Sequence, residues 1–301
     1  MKKMDTFSNT NNLKINKNFD LYEIYNISLS GAVEKICVNI DKDLYMIKMD
    51  KEGEYKALSE FLASEIAKIL GLKCQDVTLG YRDNRLSCGI KLFNKTFYNI
   101  HHYYSVNDSS LSSIDDDVKN LPYSLKYITD ALMRYKSVNI SRELLLSNFV
   151  TMTIFDCLIG NYDRHWGNWG FIGQPKKYEI SPLFDNGSSL YPKLSDDDIK
   201  SVLQSKSLIH SLIYEFPKSQ IRRTPKKKYL YKNLMEDLLN MGFDKEFKNF
   251  IYSFESNVDK IDELFNNKEL KKMIPESRLK FLNVMLKLRF KLLIKDVYIC
   301  K

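Results

Sequence analysis

Residues 159–171 read IGNYDRHWGNWGF. Asp163, Arg164 and His165 stand side by side and Asn168 follows, between two apolar runs. Gly160, Asn161, Gly167 and Gly170 break any helix, so the stretch is a loop. Polar groups ordered beside a core are costly unless they are paired or used. A second such element follows in ISPLFDNGSSL, residues 180–190, where Asp185 comes after Pro182-Leu183-Phe184 and before Asn186-Gly187. Two carboxylates and an amide on loops after short strands suit a Mg²⁺–nucleotide site. Mg²⁺ prefers oxygen ligands and takes one or two carboxylates, with phosphates and water supplying the rest. Asp, Asn and Gly are also common turn residues, and either cluster alone reads first as a turn.

Working outward, the N-terminal part is β-rich. Ala32–Asn39 and Leu44–Met49 read as strands joined through Asp41-Lys42-Asp43. Leu58, Phe61, Leu62, Glu65, Ile66 and Ile69 recur at helical spacing, which predicts a helix over Glu54–Leu70 closed by Gly71. Strands are expected at Asp76–Tyr81 and Leu86–Phe93 around a turn at Asp83-Asn84. Ser105–Asp117 is Ser/Asp-rich and reads as a loop. Helices are expected at Ser124–Tyr135 and Ser141–Ile159, then at Asp196–Tyr214, Lys228–Met241, Lys245–Phe265 and Pro275–Leu293. The pattern predicts an α+β fold with a small β-rich lobe, a larger mainly helical lobe and a cleft between them. The division is a flexible N-terminal arm over 1–18, an N-lobe over 19–93 and a C-lobe over 94–301.

The 301 residues, 44% of them hydrophobic, are enough for one large domain or two joined lobes. The first eighteen residues are polar and Asn/Lys-rich, without the apolar segment of a signal peptide. The most apolar stretch, Leu144–Ile159, contains Ser147, Asn148, Thr151, Thr153 and Asp156, so it reads as a buried helix and no membrane association is expected. Cys37, Cys74, Cys88, Cys157 and Cys300 are scattered, which predicts a reduced, cytoplasmic protein without a cysteine-built metal site. The net charge of +8 is partly local: Lys218, Arg222, Arg223, Lys226, Lys227 and Lys228 crowd one segment. No aromatic residues interleave with them, so the segment reads as a solvated loop and helix start rather than a nucleic-acid or acidic-partner patch.

Asp163 and Asn168 have the Asp-x₄-Asn spacing of a kinase catalytic loop, in which Asp serves the acceptor hydroxyl and Asn holds metal. A downstream aspartate completes that pattern, and Phe184-Asp185-Asn186 stands in its place. Upstream, LYMIKMD at residues 44–50 puts Lys48 inside an apolar strand. Such a lysine either faces solvent at a sheet edge or enters the cleft to hold phosphates beside a helical glutamate. Glu60, between Leu58 and Phe61, is the preferred partner over Glu65 and Glu54. SLSGAVEK, residues 28–35, is small enough for its backbone N–H groups to approach phosphates, although a turn into a strand is the default reading.

With these motifs in order, the chain resembles the HipA-type serine/threonine kinases. SLSGAVEK is similar to their phosphate loop S-x-x-G-A-Q-E-K, with Val33 in place of Gln. NYDRHWGNWGF resembles their N-x-D-x-H-x-x-N catalytic loop, and SPLFDNGSS resembles their P-L-Y-D metal-binding segment. The helix ending in AKILGL fits as well and puts Glu60 at the family's glutamate position. The resemblance covers Ser28 to Ser189, whereas the C-terminal helices fit only in general character.

The resemblance implies a protein-kinase-like bilobal fold and Mg²⁺-ATP-dependent phosphorylation of Ser or Thr. It makes Asp163 the catalytic base, Asn168 and Asp185 the metal ligands, and Lys48 the phosphate-binding lysine oriented by Glu60. Ser30, Gly31, Ala32, Val33, Glu34 and Lys35 would cover the phosphates. Ile90–Phe93 falls at the adenine-binding hinge, with Lys91 and Phe93 as nucleotide contacts. Ser28 is the implied autophosphorylation site, with Ser30 and the loop Ser109–Ser113 as competing acceptors, and regulation of a toxin-like kinase would follow. A protein substrate connected with translation and an antitoxin partner are further implications. Twenty-seven residues precede Ser28, fewer than the extra N-terminal subdomain of longer relatives, so a short stand-alone variety without direct DNA binding is expected. A kinase acting on a small molecule or lipid, and a silent nucleotide-binding module, are the competing functions. The intact Lys48, Asp163, Asn168 and Asp185 set argues against the silent module. His165 is expected to brace its loop, and Trp166 and Trp169 to pack. Arg164 holds a phosphoserine or pairs with an acid.

Overall fold

Strands β1 (Lys17–Asn18), β2 (Ile24–Tyr25), β3 (Lys35–Ile40), β4 (Asp43–Met49), β5 (Val77–Arg82) and β6 (Arg85–Lys91) form one sheet, ordered β1-β5-β6-β4-β3-β2. The computed structural model describes residues 13–25, 34–99, 123–134, 140–174 and 177–301. Ser28, Ser30, Gly31, Ala32, Val33, the His101–His102 pair and the Ser105–Asp117 loop lie outside the described residues. β1 runs parallel to β5, and the other neighbours are antiparallel. Asp41 and Lys42 turn β3 into β4 with φ of 51° and 76°, and Asp83 and Asn84 turn β5 into β6 with φ of 50° and 58°. Such left-handed pairs match the twist of a two-residue hairpin, and Asp and Asn tolerate them. Alternation along the strands buries Val38, Ile40, Tyr45, Ile47 and Met49 with Phe19 in one cluster. Gly80 lets β1 close on the sheet, because a Cβ there would lie 2.0 Å from the Lys17 carbonyl oxygen.

Helix α1 (Lys56–Ile69) crosses between β4 and β5 and buries Leu58, Phe61, Leu62 and Ile66 in the same core as Leu79, Cys88 and Ile90. Asp50, at the end of β4, anchors its start: both carboxylate oxygens lie 3.0 Å from the Ala57 N–H. Burial pushes the Asp50 carboxyl up to about 7, with Glu54 adding to the shift and the Ala57 N–H and Lys56 opposing it. The folded state therefore holds this proton over a range in which the unfolded chain, with an Asp pKa of about 3.9, has lost it. Asp50 thus favours folding below about pH 4, and that contribution is lost as pH rises toward 7. Denaturant titrations from pH 4 to 8 should show Asp50→Asn gaining about 2–4 kcal/mol on the wild type across the range.

The C-terminal part is mainly helical. Helices α2 (Leu125–Arg134) and α3 (Arg142–Ile159) are followed by β8 (Gly170–Gln174) and β9 (Lys177–Ile180), which extend β7 (Thr96–Asn99) into a three-stranded antiparallel sheet. α3 is apolar around most of its circumference and buries Leu145, Phe149, Val150, Ile154, Phe155 and Leu158. Ser141 caps its start, with Oγ accepting from the Leu144 N–H at 3.2 Å, and Gly160 ends it at φ 65°. The loop that carries Asp163 therefore leaves a well-buried helix. Among the described residues no helix is long and apolar enough to cross a membrane.

The architecture matches the expected α+β arrangement, but several boundaries differ. The expected helix Asp196–Tyr214 is two, α4 (Asp196–Leu203) and α5 (Lys206–Tyr214), because Ser205 accepts from the Leu208 N–H and starts a new helix. The expected helix Lys245–Phe265 is also two, α7 (Asp244–Ser256) and α8 (Val258–Phe265), divided at Asn257. The expected helix start at Lys228 is instead part of a β-hairpin, β10 (Lys218–Thr224) with β11 (Lys227–Leu230), and α6 begins at Tyr231 (Tyr231–Asn240). Ser219, Ile221 and Tyr229 are buried there, and the surrounding charge hid that alternation. Helix α9 (Lys268–Met273) was not expected, and α10 (Glu276–Arg289) runs on into a π-helical turn, Phe290–Lys295.

Candidate active site

Lys48 lies on β4 between Lys35 of β3 and Cys88 of β6. Tyr45, Ile47 and Met49 point into the Phe19 cluster, so period-2 alternation sends Lys48 to the opposite face. Its Nζ lies 3.1 Å from Glu60 Oε2 and 2.6 Å from Asp185 Oδ1. Burial alone would lower the Lys48 pKa, but the two carboxylates hold it well above the ordinary lysine value. Glu60 is 1% exposed. Its Oε1 accepts from the Asn186 N–H at 2.6 Å, and its Oε2 also accepts from the Gly187 N–H at 3.1 Å. Glu65 instead pairs with Lys68, and Glu54 with Lys56. α1 thus fixes both the lysine and the loop after Asp185 through one carboxylate.

Asp185 adopts a left-handed φ of 54°. Burial raises its pKa, but Lys48 above all, with Arg164 and His165, brings it below the usual carboxylate value. The preceding Phe184 ring packs edge-on against Phe93 at 5.5 Å and Phe97 at 5.2 Å.

Arg164 pairs with an acid, which settles the alternative left open by the sequence. Its guanidinium is 4% exposed, and Nε lies 2.9 Å from Asp156 Oδ2. The remaining N–H groups reach Asp156 Oδ1 at 3.0 Å, Asn186 Oδ1 at 2.6 Å, and the carbonyls of Asn168 at 2.9 Å and Phe184 at 2.6 Å. One planar fork therefore ties the end of α3, the Asp163 loop and the Asp185 loop together.

Inside the loop, Asn161 Oδ1 accepts from the Asp163 N–H at 2.9 Å, and Asn168 Nδ2 donates to the Asp163 carbonyl at 2.9 Å. His165 Nδ1 accepts from the Gly167 N–H at 2.9 Å, so it braces the loop as expected. Trp169 stacks on Trp166 at 5.8 Å and lies against Phe149, as packing residues do. Tyr231, at the start of α6, donates its hydroxyl to the Asn161 carbonyl. Gln220 of β10 donates to the Tyr162 carbonyl at 2.8 Å and to Asp163 Oδ1 at 3.3 Å.

Sequence reasoning gave no role to Asp156, Gln220 or Tyr231. Asp156 was visible as a carboxylate within the apolar run of α3, whereas Gln220 lies 57 positions from Asp163 with no local signal. Gln220→Leu should lower kcat about tenfold, roughly the value of one hydrogen bond. The KM for nucleotide should stay unchanged, because Gln220 bonds to Tyr162 and Asp163 and to none of Lys48, Asn168 or Asp185. A steady-state split of kcat from KM checks this.

Among the described residues no three His, Cys, Asp or Glu side chains cluster to hold a metal. Asp185 and Asn168 nevertheless fit Mg²⁺. Both offer hard oxygens, and Asn168 uses its Nδ2 toward Asp163, which leaves Oδ1 available. One carboxylate and one amide make a partial set that suits a cation arriving with phosphates. At the expected hinge, Lys91 is occupied: its N–H meets the Asp76 carbonyl, its carbonyl accepts from Gln75 Nε2, and its Nζ pairs with Asp43. The Leu92 N–H goes to the Leu44 carbonyl, which leaves the Leu92 carbonyl and the Phe93 N–H for a ligand. Of the phosphate-loop residues, Glu34 pairs with Arg85 at 2.9 Å.

Lys48→Met should raise the ATP KM and lower kcat, and Glu60→Gln should act in the same direction more weakly, because Glu60 acts through Lys48. If Lys48 only decorated a sheet edge, its substitution would change activity and stability within about 0.5 kcal/mol. Nucleotide titration calorimetry of both variants separates these outcomes.

The comparisons with known proteins agree with this arrangement. The HipA-like C-terminal domain matches residues 27–254. The chain is 30% identical over 220 residues to the serine/threonine-protein kinase CtkA of Helicobacter pylori strain J99, covering 68% of this chain and 65% of that relative's length. The crystal structure of a Helicobacter pylori proinflammatory kinase CtkA superposes with a TM-score of 0.83 at 26% identity, covering 94% of this chain and 98% of that one. A chain of the Shewanella oneidensis MR-1 toxin–antitoxin complex of HipA, HipB and operator DNA matches with a TM-score of 0.57 at 14% identity. It covers 91% of this chain and 67% of its own, and shows the shared fold alone. The chain belongs to the HipA-type kinase family.

Proposed function

We propose that the protein is a Mg²⁺-ATP-dependent serine/threonine protein kinase. The observation that carries this reading is the Lys48 ammonium bound to both Glu60 and Asp185, with the Asp185 and Asp163 loops locked together by Arg164. Lys48 would hold the nucleotide phosphates, and the Leu92 carbonyl and Phe93 N–H would meet the adenine edge. Asn168 Oδ1 and the Asp185 carboxylate would hold Mg²⁺, which when bound supplies neutralisation of phosphate charge. Asp163 would accept the proton of the acceptor hydroxyl as its oxygen bonds to the γ-phosphorus and the bond to ADP breaks. Catalysis of this kind is mainly positioning, and the hydrogen bonds of Asn161, Asn168 and Gln220 around Asp163 serve it.

Incubation with labelled Mg·ATP, alone and with cell lysate, tests the reading. Label on proteins, lost in Asp163→Asn, is the expected result. Label on a small molecule or lipid points to the other kinase class, and no label to a silent nucleotide-binding module. Within this reading Ser28 is the proposed autophosphorylation site. A phosphate there adds about −1.5 to −2 charge to a loop meant for anionic phosphates, and mass spectrometry of the same reaction locates it. A cytoplasmic location, a translation-related acceptor and an antitoxin of the HipB kind also belong to this reading.

A further inference from the structure

We propose that hairpin β10–β11 is the docking surface for the acceptor, and that it selects Ser/Thr segments flanked by acidic residues. The inference rests on the kinase reading for its acceptor and on separate geometry for its location. Residues 218–228 carry six cations and no acid, against +8 for the whole chain. All six, Lys218, Arg222, Arg223, Lys226, Lys227 and Lys228, are exposed. None of them has a carboxylate partner among the described residues. Arg222 donates to the Pro225 carbonyl, and Arg223 lies 5.9 Å from the Tyr229 ring.

The hairpin retains this charge at a cost. Arg222 faces Lys228 directly across the ladder, and like charges opposed in that way destabilise a sheet. Concentrated, unneutralised charge favours an anionic partner and steers it on approach. The position of the hairpin says what the partner is for. Gln220 sits in β10 itself and donates to Asp163 Oδ1, so the basic strand begins at the candidate base. Phe216, 47% exposed, lies against Tyr162, the residue before Asp163, in a tilted contact with ring centres 5.8 Å apart, and offers an apolar shelf beside the same point.

A strand advances about 3.3 Å per residue. Arg223 and Thr224, three and four residues beyond Gln220, therefore lie about 10–13 Å along the strand. Acidic side chains two to four positions from the acceptor hydroxyl would reach the cations. A protein segment is favoured over single-stranded nucleic acid because the surface exposes one aromatic face, Phe216, while Tyr229 is 7% exposed, and successive bases need a series of such faces to stack on.

The test uses the full chain and fluorescein-labelled peptides with one serine, carrying Asp and Glu at positions two to four on both sides, or Lys at the same positions. Anisotropy should show the acidic peptide binding about tenfold or more tightly, with the difference shrinking at high salt. Replacing Lys226→Glu, Lys227→Glu and Lys228→Glu together sets three acids against the three remaining cations and should abolish the preference without changing ATP affinity. The milder triple Lys→Ser leaves Lys218, Arg222 and Arg223 and should weaken the preference, which keeps the test valid if charge reversal disturbs folding. Equal binding of both peptides by the wild type, or a triple variant that behaves as wild type, would overturn the proposal. Tighter binding of oligo(U) RNA than of the acidic peptide would overturn it in favour of nucleic acid. The kinase reading fails separately: charge-dependent binding with no label transferred leaves the docking surface standing, whereas transfer without charge preference removes the surface and keeps the kinase.

Discussion

Asp163→Asn should transfer phosphate about 10²–10⁴-fold more slowly than the wild type while binding Mg·ATP with unchanged affinity. The amide keeps the shape of the carboxylate, so it can still accept from Gln220 Nε2, and the backbone bonds of Asp163 to Asn161 and Asn168 do not involve the substituted group. What it loses is the capacity to take a proton from the acceptor hydroxyl. Asp185→Asn should fail in the opposite way. Its carboxylate pairs with Lys48 and is a proposed metal ligand, so its neutral replacement weakens Mg·ATP binding before chemistry begins. Calorimetry with Mg·ATP and single-turnover transfer, run on both variants, separate the two. An Asp163→Asn protein that turned over at the wild-type rate would remove Asp163 from the mechanism and move the search for a base elsewhere on the loop.

The parts of the molecule legible in the sequence are those whose signals are local. The Asp41-Lys42 and Asp83-Asn84 turns announce themselves because few residue types adopt left-handed φ in a two-residue hairpin. The α1 stripe is read from its 3.6-residue period; Glu65 falls on that stripe, and Glu60 is preferred in the sequence only for its place between Leu58 and Phe61, where the structure buries it. The joining of Lys48, Glu60 and Asp185 could be expected only because the motifs occur in a familiar order. Their separations of 12 and 137 residues carry no physical signal by themselves. The breaks at Ser205 and Asn257 were missed because apolar periodicity runs across both. β10–β11 was missed because its buried positions, Ser219 and Ile221, are few and lie among cations that usually mark a solvated loop. Gln220, within that hairpin, and Tyr231, directly after it, reach the Asp163 loop only through tertiary structure.

The largest effect on stability should come from Arg164. Its partner Asp156 is fully enclosed at the end of α3, and burial pushes the Asp156 carboxyl up even with the guanidinium beside it. Arg164→Met leaves that carboxylate without its cation and strands the Asn168 and Phe184 carbonyls and Asn186 Oδ1. Breaking one side of a buried ion pair costs about 3–5 kcal/mol, a large part of the stability of a typical domain. The loss should appear as a lower denaturation midpoint. A double variant, Arg164→Met with Asp156→Leu, separates charge from architecture. Removing both charges should recover much of the stability, because paired burial is often no better than a well-packed apolar substitute. It should not recover transfer. The guanidinium bonds to the Asp163 loop through the Asn168 carbonyl and to the Asp185 loop through Phe184 and Asn186, beside a backbone bond from the Tyr162 N–H to the Ser188 carbonyl at 3.1 Å. A methionine in its place fills volume but bonds to neither loop, so the proposed base and metal ligand would be held relative to each other only by the Tyr162–Ser188 backbone bond and would lose precise alignment. A stable double variant with full activity would show that packing alone sets the site, and that Arg164 serves the fold and not the chemistry.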